Sequence, residues 1–306
     1  MRLALYSDLH LEFAHWEPPS LDVDAVILAG DIGSHTRGLA WASSTFEQPV
    51  VYVAGNHEYY DAHLGMLAEL QRPQWEHADV HFLERRSIEI AGVRFLGCTL
   101  WCGFDLHGID KADAYMAVAR RGINDYWMIR TTGGKRLEPR DTRKLHQTAV
   151  RWLDAELSKP FAGKTVVVTH FAPHPRCVAP EHQGSDVSPY FVSDLSWLME
   201  KHRIDVWCYG HTHTNISLVA ENGCRVVSNQ RGYPREPAHG FEPNTTVLHR
   251  PKHTERTQCR CNHYHSRRYT RMWWPSAPSY SLQSRYRLVL FCEAQERWVA
   301  QTSGWR

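Results

Sequence analysis

The stretch VVYVAGNHEYY, residues 50–60, changes character halfway. Val50 to Val53 read as a strand covered on both faces, because β-branched and aromatic residues follow one another without polar alternation. The chain then turns through Gly55 into Asn56, His57 and Glu58. A core strand that ends in such side chains delivers them to an edge. The arrangement recurs outward along the chain, in RLALYSDLH from residue 2, DAVILAGDIGSH from 24, KTVVVTHFAPH from 164 and DVWCYGHTHTN from 205. Segments of helical period lie between these runs, which predicts α/β layering, with helices over 38–46, 60–70, 142–157 and 192–202. Asp141 is expected to cap the third, with Trp152 and Leu153 on its apolar face.

The 306 residues are 42% hydrophobic, enough for a substantial core in one large domain or two smaller ones. Lys and Arg number 35 against 33 Asp and Glu, so the overall balance makes no case for a nucleic-acid or membrane partner. Charge is unevenly placed. Residues 251–306 carry ten Lys and Arg against three Glu, leaving residues 1–250 slightly acidic. No apolar run is long enough to span a bilayer, and the amino terminus reaches polar residues too early for a signal-peptide core. The expected location is therefore the cytoplasm. Cys98, Cys102, Cys177, Cys208 and Cys224 lack a disulfide-like spacing and read as reduced, small core residues.

Residues 99–139 separate core strands without supplying a clear one. They are rich in aromatics and end in Gly133 and Gly134, and are read as an insertion that overhangs a site. Trp101, Phe104, Tyr126 and Trp127 are candidates for an apolar wall there. After Gly240 the periodic pattern decays. The main domain is therefore expected over residues 1–250, followed by a poorly defined basic tail over 251–306. Cys259, Cys261, His263 and His265 in that tail have metal-ligand character, but their spacing does not match zinc knuckles, and a basic extension is the preferred reading.

The strand-end signatures are Asp8-x-His10, Gly30-Asp31, Gly55-Asn56-His57-Glu58, His170 and Gly210-His211-Thr212-His213. Each is weak alone. Together, in this order and each after an apolar strand, they can converge at the carboxyl edge of a sheet, where open α/β folds build their sites. Oxygen from Asp and Asn with nitrogen from His, and no thiolate, suits manganese, iron, zinc, cobalt or nickel.

From Asp8 to His213 the series resembles the motifs of the calcineurin-like metallophosphoesterase superfamily. The resemblance implies a four-layer αββα sandwich, two mixed sheets flanked by helices, with the site at one end. It also implies two divalent ions, one held by Asp8, His10, Asp31 and His213, the other by Asp31, Asn56, His170 and His211, with Asp31 bridging. A metal-bridging hydroxide would attack a phosphomonoester or phosphodiester. His57 would face the leaving oxygen, and Asn56 with His57 would contact substrate. Glu58 is expected to orient a histidine, or to cap the next helix. Arg231, in VVSNQRGYPRE, is a candidate phosphate contact beside Tyr233. His35 is expected in a surface loop, and His174 and His182 are expected to be solvent-exposed.

The expected partner is a small phosphorylated substrate. A nuclease using the same site is the alternative, but the slightly acidic main domain offers no basic, aromatic-interleaved groove. A Ser/Thr protein phosphatase is disfavoured because Ser34 and His35 stand where those enzymes place a phosphate-clamping arginine. A non-catalytic metal-binding module is less favoured still, because no ligand of the series is lost.

Overall fold

A computed structural model describes residues 1–247. The expected tail over 251–306 and its Cys259, Cys261, His263 and His265 cluster lie outside the described residues. In chain order the strands are β1 (Leu3–Tyr6), β2 (Ala25–Ala29), β3 (Val50–Val53), β4 (Val80–Phe82), β5 (Arg86–Ile90), β6 (Val93–Cys98) and β7 (Lys164–Thr169), then β8 (Val206–Tyr209), β9 (Leu218–Val219), β10 (Arg225–Ser228), β11 (Gly232–Tyr233), β12 (Glu236–Pro237) and β13 (Thr246–Val247). One mixed sheet has the order β13-β1-β2-β3-β4, parallel except for β13. The other has the order β5-β6-β7-β8-β10-β9, parallel through β6, β7, β8 and β10 with an antiparallel strand at each edge. Strands β11 and β12 pair as a small hairpin.

Alternation along each strand sorts the core into layers. Leu3, Leu5, Ile27, Val51 and Val53 of the first sheet pack with Phe95, Val166, Val168, Val206 and Cys208 of the second. The opposite faces, Tyr6, Leu28 and Tyr52 on one side and Leu96, Val167 and Trp207 on the other, bury against helices through Leu39 and Ala42, and through Ala149, Leu153 and Leu198. The expected four-layer sandwich of two mixed sheets between helices is thus present. Because both faces of each sheet are covered, β1, β2, β3 and β8 are buried throughout, which is why their sequences lack polar alternation.

Helix boundaries moved where local chemistry overrode periodicity. The helix expected over 38–46 spans Arg37–Thr45. The one expected over 142–157 starts earlier, at Pro139: Glu138 is the N-cap, and Asp141 sits at the third position with its carboxylate accepting the Glu138 N–H at 3.1 Å. Over 60–70 only the short turns Leu64–Met66 and Leu67–Leu70 form, because Asp61 adopts a positive φ and His63 pairs with Arg130. Over 192–202 the helix is confined to Ser196–Lys201, since Val192 bridges to Ala172 and the Asp194 carboxylate accepts from the Ser196 N–H.

Residues 99–139 supply the helices Ala112–Gly122 and Asp125–Met128. Trp101, Phe104 and Tyr126 are buried in the core, whereas Trp127 is 55% exposed with the Arg136 guanidinium 4.2 Å over its ring, so no four-residue wall forms. Cys98, Cys102, Cys177, Cys208 and Cys224 are free and buried, as expected. No helix among the described residues is long and apolar enough to cross a membrane.

Candidate metal centre

Strands β1, β2, β3, β7 and β8 each run directly into a candidate residue, and all of these side chains meet at one end of the sandwich. Asp8, His10, Asp31, Asn56, His57, His170 and His211 are buried, with His213 at the margin. Asp8, His10, Asp31, His211 and His213 take positive φ values between 47° and 73°. Such a conformation is uncommon outside glycine and costs about 1–3 kcal/mol where it is held. Its concentration at successive strand ends marks a built site.

Backbone contacts hold these turns. The Asp8 carboxylate accepts the His211 N–H at 3.0 and 3.1 Å, tying the first sheet to the second. Asp31 Oδ1 accepts the His57 N–H at 2.9 Å. Glu58 is buried beneath: it accepts the N–H groups of Asp31, Ile32 and Gly55 at 3.1, 3.0 and 2.7 Å, and the Tyr52 hydroxyl at 2.8 Å. It therefore orients the Asp31 and Gly55 turns rather than a histidine, which corrects the expectation from its position beside His57. Gly55 is required by close approach, since a Cβ there would lie 2.1 Å from Asp31 Oδ1.

Among the described residues three groups of donor atoms gather within 4.8 Å: Asp8 with His10 and His213, Asp31 with His170 and His211, and His10 with Glu12 and His57, the last sharing His10 with the first. His10 Nε2 lies 3.1 Å from His213 Nε2, and His213 Nε2 lies 3.3 Å from Asp8 Oδ1. His170 Nε2 lies 3.2 Å from Asn56 Oδ1 and 3.4 Å from Asp31 Oδ2. The His211 Nε2 and His213 Nδ1 atoms are buried without a hydrogen-bond partner. A cluster of carboxylate oxygens and imidazole nitrogens with no thiolate fits divalent cations of the borderline class. His170 is oriented by its other nitrogen, Nδ1, on the Ala29 carbonyl at 2.9 Å.

Charge is balanced inside the protein itself. Burial opposes ionisation of Asp31, but the charges of His170 and His57 hold it well below the usual carboxylate range. Burial likewise works to lower His170, and Asp31 outweighs it, raising the imidazole to about 10. His57 is raised to about 9 against its burial by Asp31 and then Glu12. His211, buried and beside cationic His170, is pushed well below its ordinary value. Asp31 thus attracts whatever positive charge can reach it.

Sequence reasoning missed Glu12 and Asp125, and named Tyr233 only as part of the segment around Arg231. Glu12 Oε1 faces His57 Nδ1 at 2.8 Å and His10 Nδ1 at 3.3 Å; its spacing of two from His10 in SDLHLE is the available signal. Tyr233, from the hairpin strand β11, places its hydroxyl 3.1 Å from His57 Nε2 and stacks on His10. Asp125 accepts from Asn56 Nδ2 at 2.9 Å. Arg231 lies beside these groups with Nη1 donating to the Leu9 carbonyl at 3.1 Å. His35 Nε2 meets the Tyr60 carbonyl at 2.8 Å and braces that turn. His182 is exposed as expected, but His174 is buried and paired with Glu221 at 3.1 Å, contrary to the expectation of exposure.

Known proteins resemble the chain in sequence and in fold. The chain is 25% identical over 278 residues to the uncharacterized protein L509 of Acanthamoeba polyphaga mimivirus, covering 79% of this chain and 95% of that protein. Its fold is similar to a crystal structure of phosphopantetheinyl hydrolase from Mycobacterium tuberculosis, with a TM-score of 0.63 and 20% identity over 81% of this chain and 96% of the other. A dimetal phosphatase from Danio rerio is a more remote likeness, at TM-score 0.43 and 15% identity over 74% and 86% of the two chains. Residues 1–215 match the calcineurin-like phosphoesterase family. The chain therefore belongs to that family of hydrolases acting on phosphoester bonds.

Proposed function

We propose that the chain is a dinuclear metal-dependent phosphoesterase acting on a small phosphomonoester or phosphodiester. The observation that carries this is the pair of donor groups, Asp8 with His10 and His213, and Asp31 with His170 and His211, side by side at the strand ends. Asp8, His10, Asp31 and His213 would hold one ion and Asp31, Asn56, His170 and His211 the other, manganese being the preferred metal among manganese, iron, zinc, cobalt and nickel. When bound, two such ions supply Lewis acidity and lower the pKa of water.

His57 assists the leaving group in this reading. Glu12 takes its Nδ1–H, so proton exchange falls on Nε2, the nitrogen that faces Tyr233. Protonated there, the ring can hydrogen-bond to substrate phosphate or hand its proton to the departing oxygen, an effect typically worth about 10² to 10⁴ in rate. Asn56 and Arg231 are the further proposed substrate contacts; Arg231 is anchored through one nitrogen on Leu9, which leaves the rest of the guanidinium fork for phosphate oxygens.

The test is release of nitrophenol from mono- and bis-(p-nitrophenyl) phosphate by chelator-stripped protein, with manganese restored. Turnover that requires the metal and falls in His57→Ala is the expected result, and the faster ester gives the substrate class. No turnover of either ester, with two ions bound, overturns the proposal.

A further inference from the structure

We infer that Asp125 is a positioning residue that fixes which atom of Asn56 faces the metal centre. The inference deepens the dinuclear reading and rests on it. Asp125 starts the short helix Asp125–Met128, within the segment 99–139 and 69 residues from Asn56 in the chain. It is 1% exposed. It belongs to none of the groups of converging donor atoms.

An amide ligand has one useful end. Oxygen offers lone pairs to a cation, and the NH₂ group offers none. Here both amide protons are committed on the far side: Asn56 Nδ2 lies 2.9 Å from Asp125 Oδ1 and 3.3 Å from the Tyr60 hydroxyl. Rotation of the amide by half a turn would set Asn56 Oδ1 against the Asp125 carboxylate and Nδ2 against His170. The first contact is repulsive, so the observed orientation, with Oδ1 3.2 Å from His170 Nε2, is the one selected.

The selector is itself held. Asp125 Oδ1 accepts the Tyr60 hydroxyl at 2.9 Å, and Oδ2 accepts the hydroxyl of Tyr190, from the helix Ser188–Phe191. Two hydroxyls, one from the Tyr60 turn and one from the Tyr190 helix, thus fix one buried carboxylate, and the carboxylate fixes the amide. The insertion segment contributes to the site by this contact.

Asp125→Ala is the discriminating variant, because it removes both acceptor oxygens, whereas an asparagine there would keep one oxygen able to face the Asn56 amide. Manganese isotherms are measured by calorimetry on chelator-stripped wild type, Asp125→Ala and Tyr60→Phe, beside melting of each metal-free protein. The expected result is that wild type binds two ions, and Asp125→Ala weakens one of them by about 10- to 100-fold while sparing the other. Tyr60→Phe, the milder change, should weaken the same ion by about three- to tenfold, the range of a single hydrogen bond. It decides the matter alone if Asp125→Ala does not fold. Lowered melting temperature with both ions bound as in wild type would make Asp125 merely structural and overturn the inference, as would equal weakening of both ions. A wild type that takes up no manganese would overturn the dinuclear reading as well.

Discussion

Substituting Gly55 by Ala tests whether the strand-end turns are built around the metal donors. The added Cβ would lie 2.1 Å from Asp31 Oδ1, 2.7 Å from the Asp31 nitrogen and 2.7 Å from His170 Nε2, where ordinary contact begins at 3.4 Å. The turn has no freedom to retreat, because the Gly55 N–H is held by Glu58 at 2.7 Å and the same carboxylate holds the Asp31 and Ile32 N–H groups. The strain therefore falls on Asp31 and His170. Overpacking of this kind costs about 1–3 kcal/mol, and at about 2–4 °C per kcal/mol for a chain of this size the melting temperature should drop by about 2–12 °C. The functional cost should be larger in proportion: a misplacement of about 1 Å at a reacting centre is worth about 10²-fold. Melting curves of metal-free protein, manganese calorimetry and nitrophenyl phosphate turnover read the three effects. Gly122→Ala is the control, since a Cβ there meets nothing within 4 Å, and it should leave all three unchanged or gain up to about 1 kcal/mol in stability. Gly55→Ala protein that melts with wild type and binds two ions normally would refute the argument.

Three further outcomes follow from the same geometry. Asp31→Asn should weaken both ions more than loss of any other single donor, because in the proposed scheme one carboxylate serves both; a variant with two tightly bound ions and full turnover would remove the bridging assignment. His57→Ala should retain both ions yet lower turnover at least about tenfold on an ester with a poor leaving group, and an unchanged rate there would remove His57 from the mechanism. Metal uptake should release protons: His170 is held up at about 10, and only its neutral ring offers Nε2, so affinity should rise as pH climbs from about 6 to about 8. Calorimetry in buffers of different ionisation enthalpy measures the release, and a pH-independent affinity would count against His170 as a ligand.

The fold was legible where burial alone decides structure. Strands β1, β2, β3, β7 and β8 sit between layers, so nearly every side chain must be apolar, and no alternation obscures the run. Helices were less legible because their ends depend on single contacts. Apolar spacing at 60–70 suits a helix, but Asp61 turns left-handed and the chain through His63 and Leu64 pairs instead with Arg130. Periodicity reports which side faces the core, and carries no information about a partner from 66 residues away in sequence. Pro139 shows the converse, since a proline at the first helical turn, after Glu138 and before Asp141, is a start signal read too late.

The site divides along the same physical line. Asp8, His10, Asp31, Asn56, His170, His211 and His213 were legible because strand ends bring them together, and that placement is periodic and local. Glu58 was misread because adjacency to His57 says nothing about where a carboxylate points; its partners are backbone N–H groups, which every residue carries and no pattern reveals. Asp125 left no signal at all, for it reaches Asn56 only through the packing of residues 99–139 against the Tyr60 turn and the Tyr190 helix. Donors that coordinate must sit at the sheet edge, whereas residues that orient them can arrive from any segment long enough to reach. A series of strand-end motifs therefore locates the chemistry in such a chain, and the groups that aim it have to be sought among buried polar side chains outside the motifs.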